Sequence, residues 1–125
     1  MYDKQLVVDI FKNVLVSILQ IGKRFRTIKS IEDFVKDDVG LEKLDSICMQ
    51  LIAIGEAFKQ IDKITGGNLF SDYAGVDWKK AMGMRDIIVH HYFDIDHETV
   101  YHVCKDRIPE MEKMVTRIVR GLEGK

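Results

Sequence analysis

The chain has 125 residues, 46% of them hydrophobic, which suffices for one hydrophobic core and is too short for two, so a single domain spanning 1–125 is expected. Its 19 Lys+Arg against 20 Asp+Glu leave a formal net charge of −1, which excludes a protein that coats nucleic acid by bulk attraction and restricts any RNA contact to local patches. Two cysteines, Cys48 and Cys104, stand far apart without metal-ligand spacing, so buried, reduced thiols are expected rather than a disulfide, and with them a cytoplasmic location.

A first helix is expected from about Tyr2 to Arg26. Val7, Phe11, Val14, Ile18, Ile21 and Phe25 recur at spacings of three and four and line one face. Leu6, Val8, Ile10, Leu15 and Leu19 widen that stripe, so the helix should meet more than one neighbour, inside a bundle or across a dimer interface. Asp3 and Asp9 interrupt the apolar pattern too early for a secretory signal, and no run reaches membrane-spanning length, so no membrane partner is expected. Lys23, Arg24, Arg26 and Lys29 form a basic cluster, read either as cations complementing the carbonyls of a helix end or as an RNA-backbone contact.

A short amphipathic turn should start at Ser30, with Asp33 three residues on as a capping partner. From Gly40 or just before it, a long helix carries Leu41, Leu44, Cys48, Leu51, Gly55 and Phe58 to about Ile64, where Gly66-Gly67 ends it. Gly55 costs stability inside a helix, so it is expected where another helix approaches closely. Glu56 beside it is placed either to hold Arg85 or simply to face solvent. Residues 68–76 read as a loop, Asp77 as an N-cap, and Trp78 as a core anchor rather than a base-stacking platform. The next helix should continue through Ala81, Met84, Ile87 and Ile88 to an end near His91 or Tyr92, with Gly83 suggesting tight packing. Asp96 is expected to cap a last helix kinked at Pro109. One proline and few alternating apolar and polar runs make the chain all-α.

The chemistry-bearing stretch is residues 85–92, in which Arg85, Asp86, His90 and Tyr92 interrupt an apolar segment. A helix advances about 100° per residue, placing Arg85 and Tyr92 about 20° apart but His90 about 140° from Arg85. A straight helix therefore cannot present all three on one stripe unless the chain turns near the end. Arginine offers a permanent cation with a planar fork that fits phosphate oxygens, and histidine takes and returns a proton near neutral pH. The plainer reading has a solvated arginine, a histidine capping helix carbonyls and a tyrosine in the core. His91, His97 and His102 lack metal-ligand spacing, so neither a metal nor a cofactor is expected.

The run Arg-x4-His-x-Tyr made by Arg85, His90 and Tyr92 resembles the signature of the HEPN superfamily, and specifically of HepT-like ribonuclease toxins that pair with MntA-type minimal nucleotidyltransferases. Leu51-Ile52-Ala53-Ile54-Gly55-Glu56-Ala57 is similar to the family's central helix, the stretch from Tyr73 to Trp78 to its lead-in, and that from Tyr92 to Asp96 to its exit. The resemblance covers most of the chain in the right order. It implies an up-and-down bundle of four to five helices, a homodimer that joins two copies of the motif around one cleft, and a metal-independent endoribonuclease acting on tRNA or mRNA. In that account His90 transfers protons, Arg85 stabilises the scissile phosphate, and Asp86 orients His90 or the arginine of the second copy. Tyr92 would accept adenylyl groups from the nucleotidyltransferase antitoxin, which silences the toxin. A second reading from another class is a non-catalytic adaptor that binds a nucleotide or presents a substrate to the transferase.

Overall fold

The Asp3 carboxylate accepts the Leu6 amide at 3.0 Å and starts α1, Lys4–Phe25, in a computed structural model that describes residues 2–91 and 94–124, with His90 and His91 described in their backbone only. Val7, Phe11, Val14, Ile18 and Ile21 are buried along one face, as the spacing requires. That face packs on α2 (Asp38–Ile64) and α6 (Ile108–Leu122). By length and composition α1 could cross a membrane, with a mean hydropathy of 1.4, which corrects the expectation that no run reaches that length. Its opposite face carries exposed Asp9, Lys12 and Asn13, the pattern of a helix lying on a protein core. Val16 and Leu19, one turn apart on that face, remain 57% and 56% exposed.

In the basic cluster closing α1, Arg24 acts on the helix end. The Arg24 guanidinium donates to the Gln20 carbonyl at 3.2 Å and to Gln20 Oε1 at 2.8 Å, neutralising the carbonyl pole of the helix. A 3-10 turn, Ile31–Phe34, follows. The Asp33 carboxylate reaches back to the amides of Lys29 (2.7 Å) and Ser30 (3.2 Å), and the Lys29 amide first, then the Lys36 ammonium and last the Ser30 amide hold its pKa below the usual carboxylate value.

The Asp37 carboxylate accepts the Gly40 amide at 2.8 Å and caps the 27-residue α2. Its end is set at Gly66 and Gly67, both with positive φ (67° and 79°), so that the Gly67 amide returns to the Asp62 carbonyl at 2.9 Å. After a 3-10 turn at Phe70–Asp72 come α3, Trp78–Met82, and α4, Met84–Ile88. A two-stranded antiparallel ribbon, β1 (Val89–His91) with β2 (Asp94–Ile95), leads to α5, His97–His102.

Between α5 and α6 the chain makes a wide π turn, Val103–Arg107. Pro109 stands in the first turn of α6, where its missing N–H breaks no helical bond. The irregularity falls in the turn before it, so the kink expected at Pro109 is a π bulge that widens the helix just ahead of the proline. The six α-helices of the described residues therefore form four rods, with α3 and α4 as one broken rod and α5, the π turn and α6 as another. This is the all-α bundle expected.

Cys48 on α2 and Cys104 in the π turn are buried and unpaired. Burial pushes both thiols from 9.0 up to about 12, with Asp45 adding to the rise at Cys48 and Cys48 adding to that at Cys104. Both should therefore resist Ellman's reagent in the native protein and react on unfolding. Because the unfolded thiols release protons first, stability should fall as pH rises from about 9 towards 12. Rapid labelling of the native protein at pH 8 would contradict this burial.

Candidate active site

The motif segment is aimed by an aromatic anchor beneath it. Trp78 is 8% exposed and opens α3, where the Asp77 carboxylate accepts the Lys80 amide at 3.1 Å. The indole Nε1 donates to the Tyr73 carbonyl at 2.8 Å, so its one polar atom is satisfied within the loop that delivers it. The ring stacks on Phe70 at 4.4 Å between centroids and meets Phe58 edge-on at 5.3 Å. These contacts fix where the rod of α3 and α4 begins.

Gly55 fixes how close that rod comes. A Cβ at this position would stand 2.9 Å from the Ala81 carbonyl oxygen and 3.4 Å from that of Met82. The backbone of α3 therefore rests directly on α2, the close approach expected of this glycine. Gly55→Ala should lower stability by about 1–3 kcal/mol through overpacking, since the helix-propensity gain of up to about 1 kcal/mol does not offset a clash with backbone. Urea unfolding reads this directly, and an alanine variant at least as stable as the parent would refute the contact.

Gly83 is a break rather than a packing site, contrary to expectation. An added Cβ there would meet only carbonyls of its own turn, at 3.6 Å or beyond, and the residue separates two five-residue helices. In α4, Met84 and Ile88 point into the core, at 4% and 0% exposure. Arg85, Asp86 and Ile87 face outward.

The helix then stops three residues earlier than expected. Val89 is already extended, at φ −121° and ψ 103°, and the Asp96 amide donates to the Ile88 carbonyl at 2.8 Å, capturing the chain end in the ribbon. The β-branched run Ile87-Ile88-Val89 favours this exit, because such side chains lose rotamer freedom in a helix and fit a pleated strand. His90 thus belongs to β1, with Val89 paired to Ile95 and His91 to Asp94 around a register shift. The 140° conflict of a straight helix does not arise, since Arg85 leaves from a helix and His90 from a strand. Asp96 closes the turn as the N-cap of α5, accepting the Thr99 amide at 3.0 Å and the Thr99 hydroxyl at 2.8 Å.

Arg85 and Asp86 are therefore neighbours on an exposed helical turn, and among the described residues neither takes part in an ion pair. The side chain of His90 and the whole of Tyr92 lie outside the described residues. Glu56 does not hold Arg85. It pairs with Lys59 at 3.2 Å along the surface of α2, both side chains more than half exposed, an i,i+3 contact that a glutamate on a solvated face makes at little energetic value.

Beside α4 lies a groove of ≈ 260 Å³ with an apolar floor that includes Met84 and Ile87, and with Lys80 and Arg107 among its charged residues. Sequence reading missed both cations, since residues 27 apart on different rods carry no common spacing signal. Among the described residues there is no group of three or more His, Cys, Asp or Glu side chains able to hold a metal ion.

The model of the family described as "Ribonuclease HepT-like" matches residues 9–118. The chain belongs to the HepT-like ribonuclease family. Within that match fall all of α2, the Trp78 anchor, the motif and most of α6. Similar proteins include one named "Putative RNase MJ1216" from Methanocaldococcus jannaschii, 37% identical over 62% of this chain and 60% of its own length. Another is named "Putative RNase TTE0752", from Caldanaerobacter subterraneus subsp. tengcongensis, and is 35% identical over 73% of this chain and 75% of its own length. The matched part of this HepT-like chain thus spans between three fifths and three quarters of these relatives. No solved structure matches it.

Proposed function

We propose that this HepT-like protein is a metal-independent endoribonuclease of the toxin type, in which Arg85 and His90 from two copies of the chain act on one scissile phosphate. The reading is carried by one observation: an outward guanidinium, without an ion-pair partner among the described residues, stands on a short rigid turn, and the chain leaves that turn as a strand bearing His90. An exposed, unpaired arginine of this kind is free to take a phosphate.

Cleavage then proceeds by transfer within the RNA. One His90 imidazole takes the proton of a ribose 2′-hydroxyl, the 2′-oxygen forms a bond to phosphorus, and the bond from phosphorus to the 5′-oxygen breaks. The imidazolium of the second copy protonates the departing 5′-oxygen, while the two Arg85 forks hold the charge gathering on the phosphate. The products are a 2′,3′-cyclic phosphate and a 5′-hydroxyl, with no water or metal consumed in this step. A single copy supplies one imidazole, so a symmetric dimer is part of the proposal. The exposed Val16 and Leu19 on α1 are apolar surface available to such an interface.

Regulation follows from Tyr92. An adenylyl group attached there by an MntA-type nucleotidyltransferase would add bulk and negative charge two residues from His90, in competition with the substrate phosphate. Incubation of purified protein with total tRNA in excess chelator, followed by mapping of the cut ends, tests the central claim. Fragments with cyclic phosphate ends are expected. Intact RNA would favour the adaptor reading, in which Arg85 grips a phosphate without chemistry. Co-expression with the cognate transferase should add adenylate mass to the tryptic peptide holding Tyr92, and adenylate found only elsewhere would refute that role.

A further inference from the structure

A second concentration of positive charge lies on α6, away from the motif. At about 100° per residue, Lys113, Arg117 and Arg120 fall within about 60° of arc, and they rise about 10 Å along the helix. All three are exposed, and among the described residues none has a carboxylate within ion-pair distance. With Thr116, Gly121 and the half-buried Tyr73, the stripe lines a shallow groove of ≈ 420 Å³. The Tyr73 hydroxyl lies against the helix at Gly121, where a Cβ would come within 3.0 Å of it. The tyrosine therefore forms a fixed wall of the groove.

Arg107 at the start of the same rod shares its groove with Lys80, Met84 and Ile87, and the last two flank Arg85 on α4. Arg107 stands about 20 Å along the helix from Arg120 and about 120° round it from Lys113, in a separate groove beside the motif. That groove also holds the carboxylates of Asp77 and Glu110, whereas the groove of Lys113, Arg117 and Arg120 is lined by no acid. Three exposed cations side by side on one face form a local positive patch of the kind that attracts a polyanion.

We propose that the α6 stripe of Lys113, Arg117 and Arg120 is a binding site for the phosphate backbone of single-stranded RNA. This rests on the ribonuclease reading above and extends it from the cut phosphate to the strand that carries it. A backbone-tracking basic groove with an aromatic wall is the general solution for sequence-tolerant strand binding. Its contacts add to affinity without entering the chemical step.

The test uses the full chain with all three cations replaced, Lys113→Gln together with Arg117→Gln and Arg120→Gln, on a fluorescein-labelled oligouridylate and on total tRNA. Removal of three phosphate contacts should lower the slope of log affinity against log salt by about 2, from roughly 0.7 per phosphate on a single strand. KM should rise by about tenfold or more, with kcat retained and the helical circular-dichroism signal intact. Arg117→Lys, which keeps the charge, should preserve the slope. Cleavage by the triple variant with unchanged KM and salt slope overturns the inference and leaves the ribonuclease reading standing, the stripe then facing an acidic protein. Failure of the unaltered protein to bind or cut either RNA overturns both.

Discussion

His90→Ala is expected to reduce RNA cleavage by about 10²–10⁴-fold, the usual contribution of a positioned proton-transfer group. Arg85→Ala should cost about 10²–10³-fold through lost stabilisation of charge on the phosphate. The Arg85 substitution isolates chemistry from stability. Its side chain is exposed and unpaired among the described residues, so truncation should change folding stability by no more than about 0.5 kcal/mol. Arg85→Lys retains the cation but loses the two-pronged fork, and its activity should fall between parent and alanine variant. Because the one cleft takes an imidazole and a guanidinium from each copy, co-expression of the Arg85→Ala and His90→Ala chains should give mixed dimers that keep one of each and stay well below the parent in activity. Equal toxicity of His90→Ala and parent at matched expression would remove the proton-transfer role. A loss of helical signal in Arg85→Ala would instead make the arginine structural.

The parts of this architecture that were legible in the sequence are those governed by local physics. Val7, Phe11, Val14, Ile18 and Ile21 had only one way to share a face, and α1 buries them together. Asp77 and Asp96 cap helices because a short carboxylate before an amphipathic run accepts an amide two or three residues on. Gly55 was legible as a close approach because nothing else explains a glycine amid strong helix formers.

What stayed hidden depends on tertiary pairing. Ile87-Ile88-Val89 suits a helix or a strand equally as an apolar run. Only the bond from the Asp96 amide to the Ile88 carbonyl, between residues eight apart, decides that the helix ends there. Glu56 has Arg85 and Lys59 both as formal candidates, and the shorter, local ion pair is the one made. Periodicity that continues through Gly83 conceals the break between α3 and α4. Lys80 and Arg107 come together only when two rods pack. The motif could therefore be named from the sequence, whereas the helix-to-strand exit that separates Arg85 from His90 could not.

That exit is held at a distance by the aromatic cluster, and Phe58→Ala is expected to have the largest effect on stability. Phe58 is 0% exposed, with ring centroids 5.3 Å from Trp78, 5.7 Å from Phe70 and 6.4 Å from Phe11. Truncation of such a ring costs about 3–5 kcal/mol, a large share of the 5–15 kcal/mol of a typical domain. The urea midpoint should drop accordingly, at unchanged m if unfolding remains two-state. The same residue lies one turn beyond Gly55 on α2, so it supports both the start of α3 and the face on which α3 rests. RNA cleavage should therefore fall in Phe58→Ala even where most molecules remain folded, because Trp78 loses the wall that fixes the rod carrying Arg85. Phe58→Leu, which refills much of the volume, should recover most of both properties. An alanine variant that unfolds at the parent's midpoint would show that the ring cluster does not anchor the motif, and the rigidity ascribed to α4 would then need another source.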